Sequence, residues 1–590
     1  MSKIVFLSAH AGIWRHAFPE ALVAEALRQA GHEVKYVTCD RVFSDYCVVM
    51  AAYGLPTNAN AEQREGACRS CRANREVLVE EFKLDALELG DELTAADRAE
   101  VDRLMAGLTR ESFLELKIDG IDIGRLALYE PLLHFKKSSL SFTDDEWRHY
   151  RDIVKTTLLS FFANRRILDR EKPECLVVYN SLYAVNSVCV ALANQRGITP
   201  YFLHGGINLR HMYETLMMGK GVTLRVMRKL RDHWREDHVV PSDARELAIV
   251  TDHFEELLKG RNVFAYSSPK SGERLSVRKY FGLKPGQKLL VATLSSYDER
   301  FAAETVGYQP PKVEQPYFPT QIEWVQALVE ECAKNPDWFL VIRVHPREFP
   351  NKRDKVKSEH AQKLEQIFLR LPENARLNWP QDNLSIYDLA EEADVFLNSW
   401  SSVGKEMTLL GLPVVLYSSE ITHYPPELNY VGKTRDDYFA QIRRALADGW
   451  SFERVRMGYR WYSREFTRLA FDISDSYRPN FTPSRALWAR VFRKVRSKLS
   501  PLHVQRSDCR HRAPRLREQE RVARLIAARA DMLMDCEPIT AKVSVDDETR
   551  WLRAELKRLY AAMYQASPTE PVVGEDASLR WRLRAACSGG

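Results

Sequence analysis

Basic and hydroxyl-bearing side chains follow apolar runs in the second half of this chain of 590 residues. The run "WFLVIRV" ends at His345, Pro346 and Arg347, and the run "ADVFLNS" is followed by "WSSVGKE". A histidine can donate a hydrogen bond to a phosphate oxygen, and the guanidinium of an arginine matches phosphate with a planar fork of donors. Serine hydroxyls supply further donors. These residue types indicate a site for a phosphate or diphosphate group.

The candidate phosphate-binding residues all stand at the end of a predicted strand or shortly after it. They are Ser295, Ser296, Arg343, His345, Arg347, Ser399, Ser401, Ser402 and Glu406. Because ligands of open parallel sheets bind beyond the carboxyl ends of the strands, we expect these residues to meet at one rim. A helix beginning near Ser402 would add free backbone N–H groups there. Glu406, about one turn later, would accept hydrogen bonds from two ribose hydroxyls.

Each of these residues also has a local explanation. Ser402 can cap its helix, and Glu406 can simply favour the helix dipole. His345 can be satisfied within its own turn, and the arginines can form a solvated face. With "NWPQDN", which follows a further predicted strand between these motifs, polar side chains stand at four successive strand ends and favour one ligand site over independent local explanations.

Histidines follow predicted strands in the first half of the chain as well. His10 lies in "SAHAGIWRH", and His204 lies in "FLHGGIN", where neighbouring glycines let a ligand approach the backbone closely. Either histidine could act as a general base or orient a substrate hydroxyl. Glu20, at the start of the first predicted helix, is a third catalytic candidate, although it suits the helix dipole equally well.

The elements that must position these residues follow from the apolar periodicity. The first 60 residues alternate strand, amphipathic helix and strand, which predicts a βαβ unit in a parallel sheet. The alternation returns from "ECLVVYN" to "TPYFLHGG", and again through short apolar runs from "KLLVATLSS" to "LPVVLYS". We therefore predict an α/β fold of two doubly wound, Rossmann-like domains that face a cleft.

The predicted boundaries follow changes in composition along the chain. They are a first domain at 1–260 with a helical insertion at about 75–165, a second domain at 261–435, and a helical C-terminal extension at 436–590 with a basic segment at 484–530.

The strand ending in His-Pro, together with "ADVFLNSWSSVGKEMTLLGLPVVLY" downstream, resembles the GT-B glycosyltransferases of the capsular polysaccharide synthesis type. It is similar also to the wider group of bacterial sialyltransferases and Kdo transferases that use CMP-sugars, and of CDP-glycerol glycerophosphotransferases. The motifs lie within about 285–420, and no counterpart of the paired-acid motif of the sialyltransferases is present. The resemblance implies that His345, Ser401 and Ser402 hold the donor phosphate and that Glu406 contacts the ribose.

The same resemblance implies an activity. The first domain would bind the acceptor, and the second would bind a nucleotide-sugar donor, with CMP-Kdo or a related CMP-sugar favoured. The acceptor would be a bacterial surface polysaccharide or a lipid-linked saccharide. A CDP-polyol phosphotransferase and a UDP-sugar 2-epimerase are the alternative enzymes, and a non-catalytic scaffold of a capsule assembly complex is the alternative outside catalysis.

Four of the ten cysteines lie close together in the sequence, at Cys39, Cys47, Cys68 and Cys71. A C-x-x-C pair with two further thiols could close a structural zinc site or hold an iron–sulfur cluster. Buried free thiols are the alternative, because cysteine is among the most buried residue types. No cofactor is expected for catalysis, since no Asp-x-Asp stands at a strand end and a cationic phosphate site can stabilise a departing nucleotide.

The net charge of +6 is concentrated near the C-terminus, where 485–529 holds 14 Lys or Arg against three acids. Within it, "RALWARVFRKVRSKL" places apolar residues on one helical face with basic residues beside it. This segment could lie on an anionic membrane or pack on the enzyme. We expect no nucleic-acid partner, because no nucleic-acid-binding module accompanies the basic residues.

Composition places the chain among ordinary globular proteins, with 45% hydrophobic and 28% charged residues. The start "MSKIVFLSAH" has the pattern of a first strand and lacks that of a signal peptide. We expect a cytoplasmic protein that can lie peripherally on the inner membrane. The motifs of P-loop, dinucleotide-binding, zinc-protease and serine-hydrolase enzymes are absent from the sequence.

Overall fold

A computed structural model provides the structure of the chain. It describes residues 1–260, 262, 266–271, 276–308, 317–351, 355–367, 371–420, 422–478, 488, 506–569 and 578–588.

The described strands form two sheets, of seven and six strands. In chain order they are β1 (Lys3–Ser8), β2 (Glu33–Thr38), β3 (Asp85–Glu88), β4 (Cys175–Tyr179), β5 (Thr199–Gly205), β6 (Thr215–Lys220), β7 (Lys288–Thr293), β8 (Trp338–Arg343), β9 (Ala375–Asn378), β10 (Val395–Asn398), β11 (Val414–Leu416), β12 (Tyr430–Val431) and β13 (Ala470–Asp472).

Helices cover both sheets. They are α1 (Trp14–Gln29), α2 (Val48–Ala52), α3 (Ala61–Phe82), α4 (Ala95–Ala106), α5 (Ile123–Leu126), α6 (Tyr129–His134), α7 (Asp144–Glu171), α8 (Ala184–Gln195), α9 (Thr223–Asp237), α10 (Ala244–Lys259), α11 (Val277–Phe281), α12 (Tyr297–Thr305), α13 (Gln321–Lys334), α14 (Glu359–Ile367), α15 (Ile386–Glu392), α16 (Val403–Leu409), α17 (Arg435–Asp448), α18 (Phe452–Arg468), α19 (Arg506–His511), α20 (Gln519–Ala527), α21 (Val545–Tyr564) and α22 (Leu579–Ser588).

The strand orders confirm the predicted α/β fold class with two doubly wound domains. The first sheet runs β13-β6-β5-β4-β1-β2-β3, and the second runs β12-β11-β10-β7-β8-β9. Its six strands make the second sheet parallel throughout, whereas β6 and β13 add antiparallel strands to the edge of the first. In both sheets the order reverses beside the first strand of the domain, which is where open parallel sheets bind their ligands.

The alternation of strands and helices could be predicted from the sequence because the strands are buried and apolar. All six residues of β8 are buried, and Val341 lies opposite Val291 in β7. Strands covered by helices on both faces become continuous apolar runs. The residue that follows such a strand leaves the core at the sheet rim, so the fold delivers His345 to the place where chemistry is expected.

The segment 75–165, predicted as a helical insertion, is largely helical but is not separate from the sheet. Strand β3 lies within it and pairs in parallel with β2. Its sequence, "DALE", has no apolar run, and none of its residues is fully buried. Apolar periodicity therefore could not reveal this edge strand.

The segment 436–590, predicted as a helical C-terminal extension, is shared between the two domains. Helix α17 packs on β11 and β12, whereas α18 contacts both α16 and α10. Strand β13 then joins the first sheet beside β6, and α20 packs on α1. The segment therefore does not form a separate extension, as the expected boundary at 436 implied. Its strand β13 covers the edge of β6, which would otherwise be exposed.

The predicted amphipathic basic helix lies outside the described residues, since 479–487 and 489–505 are not described. The remainder of the basic segment 484–530 is described from 506 onward, and there Val522, Leu525 and Ile526 are buried in the first domain. In the described part of the chain, no helix combines the length and the apolar character that crossing a membrane requires.

The two domains contact each other through the region around α6 and the segment after β8. The Lys136 ammonium donates to the Val356 carbonyl oxygen at 2.7 Å, and the Ser138 N–H donates to a Glu359 carboxylate oxygen at 2.8 Å. Tyr308, after α12, shares a 2.6 Å hydrogen bond with the Ser187 hydroxyl of α8. The rims of the two sheets are therefore held close to each other.

Candidate functional site

A small cavity lies at the carboxyl ends of β7, β8 and β10. Its lining includes five of the predicted donor-binding residues, Arg343, His345, Ser401, Ser402 and Glu406. Its volume is about 90 Å³. Small-molecule sites commonly measure roughly 300–1,000 Å³, so this cavity suits one phosphate-sized group rather than a whole nucleotide sugar.

Arg343 is a buried cation without a counter-ion. It ends β8 with 7% of its surface exposed, and its guanidinium donates to the Asn378 side-chain oxygen at 2.5 Å. Among the described residues it forms no ion pair. Burial lowers the pKa of Arg343 to about 10, although the more distant charges of Asp388 and Asp382 oppose that shift. Because an unpaired buried charge is costly, this arginine favours an anion in the cavity.

His345 presents one ring nitrogen as a donor. Its Nδ1 atom accepts the backbone N–H of Arg347 at 3.2 Å. A neutral imidazole that accepts at Nδ1 carries its proton on Nε2. Burial first, and the charge of Arg347 second, lower the pKa of His345 to about 3. The ring is therefore a neutral Nε2–H donor before any ligand binds.

The hydroxyls beside the cavity are arranged around Glu406. Ser402 donates to one carboxylate oxygen at 2.7 Å, and the Tyr387 hydroxyl donates to the other at 2.9 Å. Burial raises the pKa of Glu406. Ser402 makes no side-chain cap of α16, whereas the Ser401 hydroxyl oxygen accepts the Val403 N–H at 3.3 Å. The local explanation of capping thus applies to Ser401 and not to Ser402.

The structure places Arg347 behind the cavity instead of in it. Its guanidinium forms a buried ion pair with Asp298 at 2.8 Å and donates to the Leu133 carbonyl oxygen of the first domain at 3.4 Å. Burial acts to lower the pKa of Arg347, but the carboxylates of Glu299 and Asp298 outweigh it and hold the pKa well above its usual range. The two parallel hydrogen bonds that Arg347 was expected to donate to a phosphate go to the carboxylate of Asp298 instead.

Three predicted serines also support the loops rather than line the cavity. Ser296 donates to the Asp298 carboxylate at 2.7 Å. The hydroxyls of Ser295 and Ser399 lie 2.6 Å apart, and Ser295 accepts the Trp400 N–H at 3.0 Å. These bonds join the loop after β7 to the loop after β10 and so fix the position of the Ser401 and Ser402 loop.

Sequence analysis missed the contribution of the segment that joins the domains. Leu257 of α10, together with Tyr266 and Ser267 from the segment that links α10 to α11, completes the cavity wall. The Tyr266 ring meets the His345 ring edge-on at 5.5 Å. Nothing in the sequence signalled this role, because linker composition carries no information on which residues turn inward.

The predicted catalytic residues of the first domain form a second cluster, at the carboxyl ends of β1, β4 and β5. The Nε2 atom of His10 lies 3.3 Å from a carboxylate oxygen of Glu20, and both residues are buried. Tyr179 contacts His10 at 5.5 Å between ring centroids and lies between His16 and His204. His16 was overlooked, although it stands in the quoted "HAGIWRH".

Several polar atoms of this cluster have no hydrogen-bond partner within the described residues. They are His16 Nδ1, Glu20 Oε1 and His10 Nε2, whose 3.3 Å contact with the other Glu20 oxygen does not have hydrogen-bond geometry. Burial, reinforced by the charges that His10 and His204 can carry, holds the pKa of His16 well below its usual value. Burial likewise lowers the pKa of His204. Unpartnered buried polar atoms at a sheet rim indicate a place for a hydroxyl-bearing ligand.

The four cysteines come together around one small pocket, and none of them forms a disulfide bond. Cys39, Cys47, Cys68 and Cys71 line one enclosed pocket of about 20 Å³. Burial raises the pKa of Cys47 to about 11 and that of Cys71 to about 12, whereas metal ligands must be deprotonated. Among the residues that the structure describes, no group of three or more candidate ligands is arranged to hold a metal ion. The zinc or iron–sulfur site stays a prediction.

Comparison with known proteins gives only distant likenesses. No family model matches the sequence, and no curated protein sequence matches it. The solved structures that it resembles include a putative UDP-N-acetylglucosamine 2-epimerase from Listeria monocytogenes, with 9% identity, a TM-score of 0.26, and coverage of 85% of this chain and 97% of that one. Another is the spinosyn rhamnosyltransferase SpnG, with 11% identity, a TM-score of 0.22, and coverage of 79% and 96%. At these scores, the architecture rests on the strand orders given above.

Proposed function

We propose that this protein is a GT-B glycosyltransferase that uses a nucleotide-sugar donor. The observation that carries the proposal is the buried guanidinium of Arg343, which has no counter-ion among the described residues and lines the same cavity as the Nε2–H donor of His345. A phosphate group would supply the missing negative charge and accept both donors. Nucleotide sugars bring such a group to the rim of a parallel sheet.

In this proposal the second domain stabilises the departing nucleotide. Arg343 and His345 hold the phosphate, and the Ser401 hydroxyl retains a proton to donate to it. The negative charge on the phosphate grows as the bond to the sugar breaks, so these donors are worth most in the transition state. Glu406 would exchange its Ser402 and Tyr387 bonds for ribose hydroxyls.

The first domain would activate the acceptor. Glu20 beside Nε2 of His10 favours a proton on that nitrogen and leaves Nδ1 as the base. His10 would take the proton of the acceptor hydroxyl as its oxygen bonds to the sugar, while the nucleotide phosphate leaves with the electron pair of the broken bond. Tyr179, His16 and His204 would form the wall against which the acceptor lies.

The finer assignment is a CMP-sugar donor, with CMP-Kdo or a relative favoured, and a surface polysaccharide or lipid-linked acceptor. Its support is the motif resemblance of "VHPRE" and "SWSSVGKE", together with a cavity that suits a single phosphate. Glu406 contributes a carboxylate to this cavity, but the described residues form no cluster of three or more candidate ligands for a metal ion.

A panel of CMP-, UDP- and GDP-sugars tests the proposal, with release of the nucleotide followed in the presence and absence of saccharide acceptors. Release or transfer from one nucleotide class is the expected result. Conversion of a UDP-sugar without an acceptor would point to an epimerase, and transfer of a polyol phosphate would point to a phosphotransferase. Failure of every donor to bind or react would refute the enzyme and leave a scaffold.

A further inference from the structure

A second group of basic residues lies near His423, in the loop between β11 and β12, where Arg231 donates to the carbonyl oxygen of the preceding residue, Thr422, at 3.3 Å. The Nδ1 atom of His423 is buried and has no hydrogen-bond partner among the described residues. The neighbouring Tyr424 accepts a hydrogen bond from the Asn398 side chain at 3.0 Å, and a Cβ atom at Gly404 would overlap the Tyr424 hydroxyl. His423 therefore lies beside the loop that carries Ser401 and Ser402, but outside the lining of the donor cavity.

Four basic residues from three helices act on this histidine. After burial, which is the largest effect, the charges of Arg228, Lys405, Arg231 and Arg300 lower the pKa of His423 to about 4. Arg228 and Arg231 belong to α9, in the first domain, whereas Arg300 and Lys405 belong to α12 and α16 of the second. The cationic group thus spans the two domains.

Two of these cations are already neutralised. Lys405 forms an ion pair with the buried Glu465 at 2.5 Å, and Arg300 forms one with Glu304 at 2.5 Å. Neither leaves a net positive charge for another anion.

The two arginines of α9 are different. Arg231 donates to the carbonyl oxygens of Ser419 and Thr422 at 3.1 and 3.3 Å, and its nearest carboxylate, Asp232, lies 3.9 Å away on an exposed side chain. Arg228 has neither an ion pair nor a hydrogen bond within the described part of the chain. Burial and the charge of Arg231 lower its pKa, against the opposing charges of Asp232 and Glu420. Among the described residues, Arg228 thus has no counter-ion, and Arg231 has only the exposed carboxylate of Asp232 at 3.9 Å.

We infer that Arg228, Arg231 and His423 form a second oxyanion subsite, which takes a phosphate or carboxylate group of the acceptor. This inference rests on the proposed transferase function. Both arginines come from the first domain, which is the acceptor domain in that proposal, and the donor cavity already suits the single phosphate of a CMP-sugar. A bound oxyanion would accept a hydrogen bond from the Nδ1–H group of His423 and two parallel hydrogen bonds from the guanidinium of Arg228. The substrate class is thus an anionic acceptor, such as a saccharide that carries a phosphate or an acidic sugar.

Titration calorimetry with inorganic phosphate at low salt tests the subsite in the full-length protein. The variants are Arg228→Gln and His423→Gln, with His345→Ala to remove the donor site and Arg225→Gln as the control. Arg225 lies on the same helix but is exposed and points to Asp531. Thermal midpoints show whether each variant is folded. We expect Arg228→Gln and His423→Gln each to lose a binding event that His345→Ala keeps, with affinity reduced roughly tenfold or more.

Titrations with CMP and CDP identify the source of the anion. Unchanged affinity for both nucleotides in Arg228→Gln, together with the lost phosphate event, supports the acceptor subsite. Weaker CDP binding with unchanged CMP binding would assign the charge to a second donor phosphate and overturn the acceptor assignment. Phosphate binding in Arg228→Gln equal to that of Arg225→Gln would overturn the subsite altogether. If the wild type binds no CMP, CDP or UDP, the transferase proposal fails, and the acceptor assignment fails with it, whatever the phosphate titration shows.

Discussion

The rims of the two sheets have the same topology but different chemistry. At the second sheet, Arg343 is a buried charge with no ion pair among the described residues, and a backbone hydrogen bond holds His345 in one tautomer. At the first sheet, the rings of His10, His16 and His204 lie around Tyr179, and His10 contacts the carboxylate of Glu20.

The difference separates two tasks that a transferase must perform. Fixed, charged donors stabilise negative charge that is present throughout binding and grows during reaction. A base must instead be neutral before it takes a proton, and at this rim burial lowers the pKa of His16 and of His204. The comparison therefore assigns binding to the second sheet and proton transfer to the first, and the experiments below can break that assignment.

The largest effect is expected at the first sheet. Replacing His10 with Asn should lower kcat by about 10²–10⁴-fold, because general-base catalysis contributes about that much. Nucleotide affinity should be unchanged, since the residue lies at the other rim. Steady-state kinetics and calorimetry measure the two quantities, with His233→Asn, an exposed histidine of α9, as the control. A variant that loses nucleotide affinity and keeps kcat would reverse the assignment of the two rims.

The next largest effect contrasts two arginines that stand four positions apart at the second rim. Arg347→Gln should lower the free energy of unfolding by about 3–5 kcal/mol, because it leaves the buried carboxylate of Asp298 without its partner. Denaturant unfolding measures this loss, and the exposed Arg103→Gln, whose pair with Glu100 lies on the surface, should change little. Normal stability in Arg347→Gln would show that this arginine is held for a ligand after all.

Arg343→Gln should have the complementary effect. Loss of a charged hydrogen bond to phosphate corresponds to about 1.5–3 kcal/mol, or roughly a 10–150-fold weaker nucleotide affinity. Stability should stay the same or rise, because the variant removes a buried charge that has no counter-ion in the unliganded protein. Calorimetry with CMP and UDP checks this, and Arg376→Gln, an exposed arginine on the adjacent strand, is the matched control. Unchanged affinity would contradict the donor site.

The smallest effect is the pH dependence of stability. His345 has a pKa of about 3 in the folded protein and about 6.5 in an unfolded chain, so below about pH 6.5 the unfolded chain binds more protons. Stability should therefore fall as the pH decreases, by about 1 kcal/mol from this residue at pH 5.5. Urea midpoints at pH 7 and 5.5 should show a smaller difference in His345→Asn, and His16→Asn should act in the same direction. An equal pH dependence in wild type and both variants would mean that neither ring resists protonation.

Much of the fold could be predicted because it depends on local apolar patterns. In the second domain, β8, β10 and β11 are buried throughout and β7 is buried after its first residue, so that each appears as an apolar run, and the residues that follow them could be listed in advance. Strands β3 and β13 were not predicted. Strand β3 has no apolar run, and β13 pairs with a strand more than 240 positions earlier, with Ala470 opposite Met217. Pairing over such a distance leaves no mark on local periodicity.

The sequence by itself determined which residues reach the two rims, because a strand of fixed rise and alternating faces delivers its last residue to the sheet edge. Only the tertiary structure decided what each residue does there. Arg343 and Arg347 stand on the same short stretch, yet Asp298, in the first turn of α12, pairs with Arg347, whereas Arg343 has no ion pair among the described residues. His345 could be named from its motif, but its tautomer depends on the turn that follows it. The physical reason is that charge compensation and desolvation are set by neighbours in space, which the order of residues does not specify.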